Sequence, residues 1–249
     1  MDGRRLVFAH LYPGHMNLYG DRGNVLALRR RAEWRGYDVD VLDVNPTDPL
    51  PLASIDLLFV GGGEDRHQEL VVEDFVSRRQ ELVAAFQDGL PTLAVCGAYQ
   101  LLGHRYQVAD GRWLPGIAWF DLETRSGTDR AVGNVVIESR LDLSPKTLVG
   151  FENHGGRTFL APGQEPLGRV IAGHGNNGQD HMEGAVREQV VGTYLHGSLL
   201  PKNPQLADWL LSRAIGFKTG NGELSPLEAE FELRAHAAMV ERFTGGGRS

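Results

Sequence analysis

One cysteine, Cys96, is all that 249 residues contain. A lone thiol excludes an internal disulfide framework and fits a reducing compartment. Long apolar runs are missing too: DLLFVGGG at 56–63 and TLAVCG at 92–97 fall far short of the ~18 apolar residues that a membrane span needs. The opening MDGRRLVFAH shows no apolar stretch and cleavage site of the secretory kind, so a cytoplasmic location is expected. There is no excess of basic charge. Asp and Glu outnumber Lys and Arg by 32 to 25, a net charge of −7, and the single basic run, RRR at 29–31, reads as the solvated face of a helix. No nucleic-acid partner is expected from that balance. One cysteine and scattered histidines give no usual zinc spacing, so no metal site is expected. No GxSxG is present to provide a serine elbow, and no GK[ST] follows the glycines to make a phosphate loop.

What is present is an alternation of strand and helix. Strand-like runs at 4–12, 37–44, 55–63 and 92–95 are separated by helical periodicity at 21–36 and 67–89. Short apolar strands joined by helices imply parallel pairing with helices on both faces. Ligands then bind beyond the carboxyl ends of the strands. From about 113 to 197 the pattern changes to strands and turns, an antiparallel or mixed extension. Two helices follow, with Asn203-Pro204 and Ser225-Pro226 as their expected starts. Without repeats or linkers, the expectation is a single domain over 1–243 and a frayed tail at 244–249. Its fold class is a three-layer α/β sandwich: a mainly parallel central sheet flanked by helices, plus the antiparallel extension.

Cys96 sits where the apolar run TLAV gives way to Gly97 and a helical stretch. A buried cysteine is ordinarily a small hydrophobe. At a strand-to-helix turn, however, it is lifted above the sheet, and the start of the helix favours thiolate over thiol. The N–H after it would face an oxyanion formed there. A thiolate nucleophile needs a proton-transfer partner, most often histidine. Of nine histidines, His196 in GTYLHG ends an apolar strand before a glycine, and His154 in FENHGG ends a strand in the same way. Gly61, Gly62 and Gly63 close the third strand, either as a plain turn or as a close backbone approach to a ligand.

Together these elements resemble the class I, triad-type glutamine amidotransferases, which have a flavodoxin-like core. The features are a glycine-rich turn after an early strand, Cys96 at an elbow with Gln100 four residues on, and His196 after a late strand, 100 positions past the cysteine. HLYPGHMNLYGDRGNVLALRRR, GGGEDRHQ, VCGAYQLLG, VGFENHGGRT, GHGNNGQD and GTYLHGSLLPKNP resemble the cobyric-acid-synthase-like branch, and within it the glutaminase subunits of lipid II isoglutaminyl synthases. The resemblance implies ammonia release from L-glutamine. A Mur-ligase-like partner subunit would use that ammonia, with ATP and Mg on the partner, to amidate the α-carboxyl of D-glutamate in the peptidoglycan stem peptide.

No cofactor is implied on this chain, and the action is placed at the inner membrane face through the partner's lipid-linked substrate. By the same resemblance Cys96 is the nucleophile, His196 the general base and acid, and Arg130 in GTDRAVGN the glutamine-binding arginine. Gln100 belongs to the substrate site, and Gly62 and Gly97 supply oxyanion N–H groups. The sequence departs from the usual triad at Ser198, where most relatives carry Glu. No acid of this chain presents itself as a replacement, and the resemblance implies an aspartate from the partner subunit. Two other readings stay open: a free-standing cysteine γ-glutamyl hydrolase or peptidase of the same fold, and a non-catalytic partner-binding module.

Overall fold

The computed structural model of the chain describes residues 4–17, 20–63, 65–196 and 199–245. Its first sheet has the order β11-β12-β4-β3-β1-β2, built from β1 (Arg5–Leu11), β2 (Asp38–Val44), β3 (Leu57–Val60), β4 (Thr92–Val95), β11 (Ala185–Arg187) and β12 (Val190–Thr193). β2, β1, β3, β4 and β12 run parallel, and only β11 is antiparallel. β3 and β4 are buried along their whole length, as strands covered on both faces must be. β2, at the edge, alternates polar and apolar, with Val39 and Val44 inward.

The helices α1 (Arg22–Glu33), α2 (Asp65–Ser77), α3 (Arg79–Gln87), α4 (Gly97–Leu101), α5 (Leu199–Lys202), α6 (Pro204–Thr219) and α7 (Glu230–Thr244) complete this part of the chain. The helical run read as continuous from 67 to 89 breaks at Arg78, whose guanidinium turns back to Asp74 at 2.6 Å and whose backbone leaves the helical region. α6 starts at Asn203-Pro204 as its sequence indicates. Asn203 spends its side chain elsewhere, pairing with both the N–H and the C=O of Val149. α7 starts at Glu230, four residues beyond Pro226.

The basic run at 29–31 is only partly a solvated face. Arg29 and Arg30 bond Glu33 on the surface, whereas Arg31 is buried, with Nε and Nη2 each 2.7 Å from the Asp208 carboxylate of α6 and Nη1 3.1 Å from Glu232 of α7. Helical rotation turns position 31 toward the neighbouring helices while its two predecessors face out.

The second sheet has the order β10-β9-β7-β5-β6, with β8 also pairing with β7. Its strands are β5 (Arg105–Gln107), β6 (Trp113–Pro115), β7 (Leu122–Ser139), β8 (Thr147–Leu160), β9 (Gly168–Ala172) and β10 (Met182–Glu183). All pairings in it are antiparallel except β5 with β7. The extension anticipated from 113 therefore begins with β5, and it gives its last strands back: β11 and β12 join the first sheet. β12 is short and apolar like β3 and β4, and it sits beside β4 in parallel register, Val190 opposite Thr92. Gly192 lets this happen, because a Cβ there would collide with the Tyr99 ring. The expected tail passes beyond the described residues after Gly245, and Thr244 closes α7.

Candidate active site

Because β3, β4 and β12 are parallel neighbours, their carboxyl ends emerge side by side. β4 delivers Cys96, β3 delivers Gly61–Gly63, and the chain leaving β12 delivers His196. Cys96 takes φ 51° and ψ −105°, a conformation rare for a residue with a Cβ, and α4 begins at once with Gly97. That is the strained elbow expected of a nucleophile at a strand-to-helix turn. The Cys96 N–H is held by the Thr193 carbonyl at 2.8 Å, and its own carbonyl accepts from Gln100 N at 3.0 Å, so both sides of the bend are fixed.

His196 is fully buried and bridged to β8 through reciprocal backbone bonds with Phe151. Burial alone would lower its pKa, but its interactions with Cys96 and Asp21 raise it to about 10. The ring thus carries its proton at neutral pH. Gly62 sits against both reacting side chains: a Cβ there would lie 2.7 Å from His196 Cε1 and 3.2 Å from Cys96 Cβ. A methyl at that point would push the imidazole aside.

Cys96, His196, Gln100 and Arg130 line one cavity of about 410 Å³. Arg130, exposed on β7, forms its outer wall, with Nε 3.0 Å from Asn153 Oδ1 and Nη2 3.1 Å from the Asn153 carbonyl. Gln100, buried on α4, belongs to a polar chain that crosses the molecule. Gln68 Nε2 donates to Gln100 Oε1, and Gln100 Nε2 donates to the Tyr194 hydroxyl, both at 2.9 Å; that hydroxyl pairs with Thr158 Oγ1 at 2.7 Å. Such a connected chain fixes its members, although Gln68 Oε1 is left without a hydrogen-bond partner.

Gly62 and Gly97 do not line the cavity but support it from behind. The expectation of Gly62 as an oxyanion donor meets a competing acceptor, since its N–H donates to Asp21 Oδ2 at 2.6 Å. Gly97 is the first residue of α4, and the first N–H groups of a helix have no acceptor within it. A Cβ at Gly97 would collide with the Gln68 amide.

His154, the other histidine candidate, also lines the cavity, but as a wall. Its ring stacks on Tyr194 at 3.7 Å between centroids, and Nδ1 pairs with the Gly156 carbonyl at 2.8 Å. Burial lowers its pKa despite Glu152 3.6 Å away, which leaves it neutral.

The sequence offered no acid of this chain for the third place, and the resemblance implies one from the partner; one acid of this chain does stand near the imidazole. Asp21 lies fully buried with Oδ1 3.8 Å from His196 Nδ1. It stands at the N-cap position of α1 yet makes no cap bond, a feature that local sequence does not reveal. Ser198 lies outside the described residues. Glu183 was not anticipated either. It is buried behind the strand end that carries His196, accepting the Tyr194 N–H at 2.6 Å and the Thr193 hydroxyl at 3.0 Å. Burial pushes its carboxyl up to about 8 against those bonds. Among the described residues no group of three His, Cys, Asp or Glu side chains is placed to hold a metal ion.

Residues 7–204 match the CobB/CobQ-like glutamine amidotransferase domain. Over 237 residues the chain is 40% identical to a Staphylococcus aureus protein named lipid II isoglutaminyl synthase (glutamine-hydrolyzing) subunit GatD, covering 95% of this chain and 96% of that one. A Streptococcus pneumoniae protein of the same name is 38% identical, with 87% and 83% covered. Cobyric acid synthase of Brucella abortus is 32% identical over 64% of this chain and 32% of its own length. Among solved structures, a glutamine amidotransferase from Thermotoga maritima shares the fold with a TM-score of 0.52 at 17% identity, over 96% of this chain and 98% of that one.

Proposed function

The chain belongs to the CobB/CobQ-like glutamine amidotransferase family, and from that premise we propose that it is the glutaminase subunit of a lipid II isoglutaminyl synthase. The observation that carries the chemistry is Cys96 at a strained elbow, sharing a cavity with a protonated His196. The two relatives named as the GatD subunit, similar over most of their length, support the assignment to this synthase.

In the proposed reaction the Cys96 thiolate adds to the side-chain carbonyl carbon of L-glutamine, and the oxyanion so formed accepts the Gly97 N–H. The imidazolium of His196 gives its proton to the departing amide nitrogen, the carbon–nitrogen bond breaks, and ammonia and a γ-glutamyl thioester result. The imidazole, now neutral, takes a proton from water as the water adds to the thioester. Collapse of that adduct releases glutamate and returns the Cys96 thiolate and the imidazolium. Arg130 at the cavity wall takes the substrate α-carboxylate, for which a planar guanidinium is suited.

Ammonia would pass to a Mur-ligase-like partner that binds ATP and Mg and amidates the D-glutamate α-carboxyl of lipid II at the inner face of the membrane. No helix among the described residues is long and apolar enough to cross a membrane.

The test is ammonia release from glutamine by wild type and Cys96→Ala, each with and without the synthase partner. Release that requires Cys96 and is raised by the partner is expected. Partner-independent cleavage of other γ-glutamyl compounds would indicate a free-standing hydrolase, and no release in any mixture would indicate a binding module.

A further inference from the structure

We propose that Asp129 is a specificity-determining residue of the glutamine site, holding the α-ammonium of the substrate beside the α-carboxylate that Arg130 takes. The inference rests on the glutaminase reading and deepens it. Glutamine carries its reacting amide at one end and two opposite charges at the other, so a cavity that accepts it from water has to meet both charges. Apart from the reacting Cys96 and His196, the charged side chains lining the cavity among the described residues are Arg66 of α2 and Asp129 and Arg130 of β7. Asp129 is the one carboxylate.

The backbone explains how two consecutive residues of a strand come to line one cavity. In a regular ladder successive side chains point to opposite faces. β7 is irregular here: Ser126 lies opposite Gly156 and Ala131 opposite His154, so residues 127–130 of β7 face Gly155 alone on β8. Released from the ladder, this bulge turns both side chains toward the cavity. Only glycine fits at position 127, since a Cβ there would lie 2.8 Å from the Gly155 carbonyl oxygen. Arg157 fixes the bulge, donating from Nη2 to the Asp129 carbonyl at 2.9 Å.

Each charged group is held by a neutral neighbour and keeps a free end. Arg130 bonds Asn153 through Nε at 3.0 Å and Nη2 at 3.1 Å, which leaves Nη1 near Gly155, where a Cβ would lie 3.8 Å from it. Asp129 accepts the Thr128 hydroxyl on Oδ2 at 3.2 Å, which leaves Oδ1. Among the described residues no ion pair joins Asp129 to Arg130 or to any other side chain. An acid and a base that are neighbours on one wall, yet unpaired, match a zwitterion: the guanidinium takes its carboxylate and Asp129 its ammonium.

Two shortened substrates separate the charges. 4-Carbamoylbutanoate is glutamine without the ammonium, and 4-aminobutanamide is glutamine without the carboxylate. With the full chain and its synthase partner, kcat/KM for ammonia release should favour glutamine over 4-carbamoylbutanoate by about tenfold or more, as a charge-assisted bond to the ammonium implies. Asp129→Ala should bring that preference close to one and keep the preference over 4-aminobutanamide. Arg130→Ala should do the reverse. A loss of kcat/KM in Asp129→Ala that is equal for all three substrates marks a merely structural role and overturns the proposal. So does a wild-type enzyme with no preference for glutamine over 4-carbamoylbutanoate.

Should the alanine variant fail to fold, Asp129→Asn keeps the size and one acceptor but loses the charge. Its preference should fall by about threefold or more, and an unchanged preference refutes the role. Binding needs no turnover. In the Cys96→Ala chain, calorimetric titration should show L-glutamine bound about tenfold more tightly than 4-carbamoylbutanoate, a gap that adding Asp129→Ala closes. That result without ammonia release in any wild-type mixture would sink the glutaminase reading and leave Asp129 standing. Ammonia release with an unchanged gap would sink the role of Asp129 alone.

Discussion

Cys96 holds φ 51°, a value that strains the backbone of any residue with a side chain by about 1–3 kcal/mol. The surrounding bonds to Thr193 and Gln100 keep it there, and they belong to the strand and helix on either side of the bend. His196 answers from the neighbouring strand end with a proton held up to about 10. Arg130 differs from both, since it is exposed and bonds Asn153 through Nε and Nη2. It lines the same cavity as Cys96, and the proposed role for it is to hold the substrate α-carboxylate. Arg130→Ala should therefore raise KM for glutamine about tenfold or more with a smaller effect on kcat, the loss of a charge-assisted bond. Steady-state kinetics with the partner present checks this, and an unchanged KM removes Arg130 from the site.

At the level of elements, the site is a product of strand order. β4 and β12 are far apart in sequence and adjacent in the sheet, so the cysteine and the histidine meet because their strands are parallel neighbours. The frame behind them is braced by helices, and Arg31 is the main polar tie. It joins α1 to α6 by a two-pronged bond to Asp208 and to α7 through Glu232. Arg31→Ala would leave Asp208 with the Arg35 guanidinium, 2.9 Å away, as its remaining partner, and should cost about 2 kcal/mol of stability for the lost charge-assisted bonds. Denaturant titration reads that loss. Ammonia release at low temperature should hold, because Arg31 does not line the cavity.

The strand and helix alternation of the first hundred residues was legible because apolar periodicity and flanking glycines report local structure directly. Two misreadings share one cause. β12 was counted with the extension, and Arg31 with a solvated face. Neither the partner of a strand nor the inward rotation of one residue on a basic helix is encoded in its neighbours along the chain.

At the scale of the whole molecule, Glu183 links the two sheets to the acid–base balance. It lies on β10 of the second sheet and holds Thr193 and Tyr194 at the end of β12 in the first. Its carboxyl is raised from 4.5 to about 8 by burial. A carboxyl raised on folding binds its proton more tightly in the native state, so its contribution to stability is full below about 4.5 and is lost as pH climbs through about 8. Glu183→Gln, which cannot ionise, should lose less thermal stability than wild type between pH 5 and pH 9. Melting curves at pH 5, 7 and 9 test this, and parallel losses in the two proteins would refute it.

By itself the sequence determined the local features: the lone cysteine before a glycine, the strand ends that carry Gly61–Gly63 and His196, the parallel character of the early strands, and a set of motifs that pointed to one family. Those features are written in residue type and short-range period. Tertiary structure alone decided that Asp21 stands beside His196, that Gly62 is already bonded to Asp21, that His154 lines the cavity stacked on Tyr194, and that Glu183 is buried with a displaced pKa. These are facts of proximity and solvent exclusion between segments far apart in the chain, and nothing in the order of residues states which of them will meet.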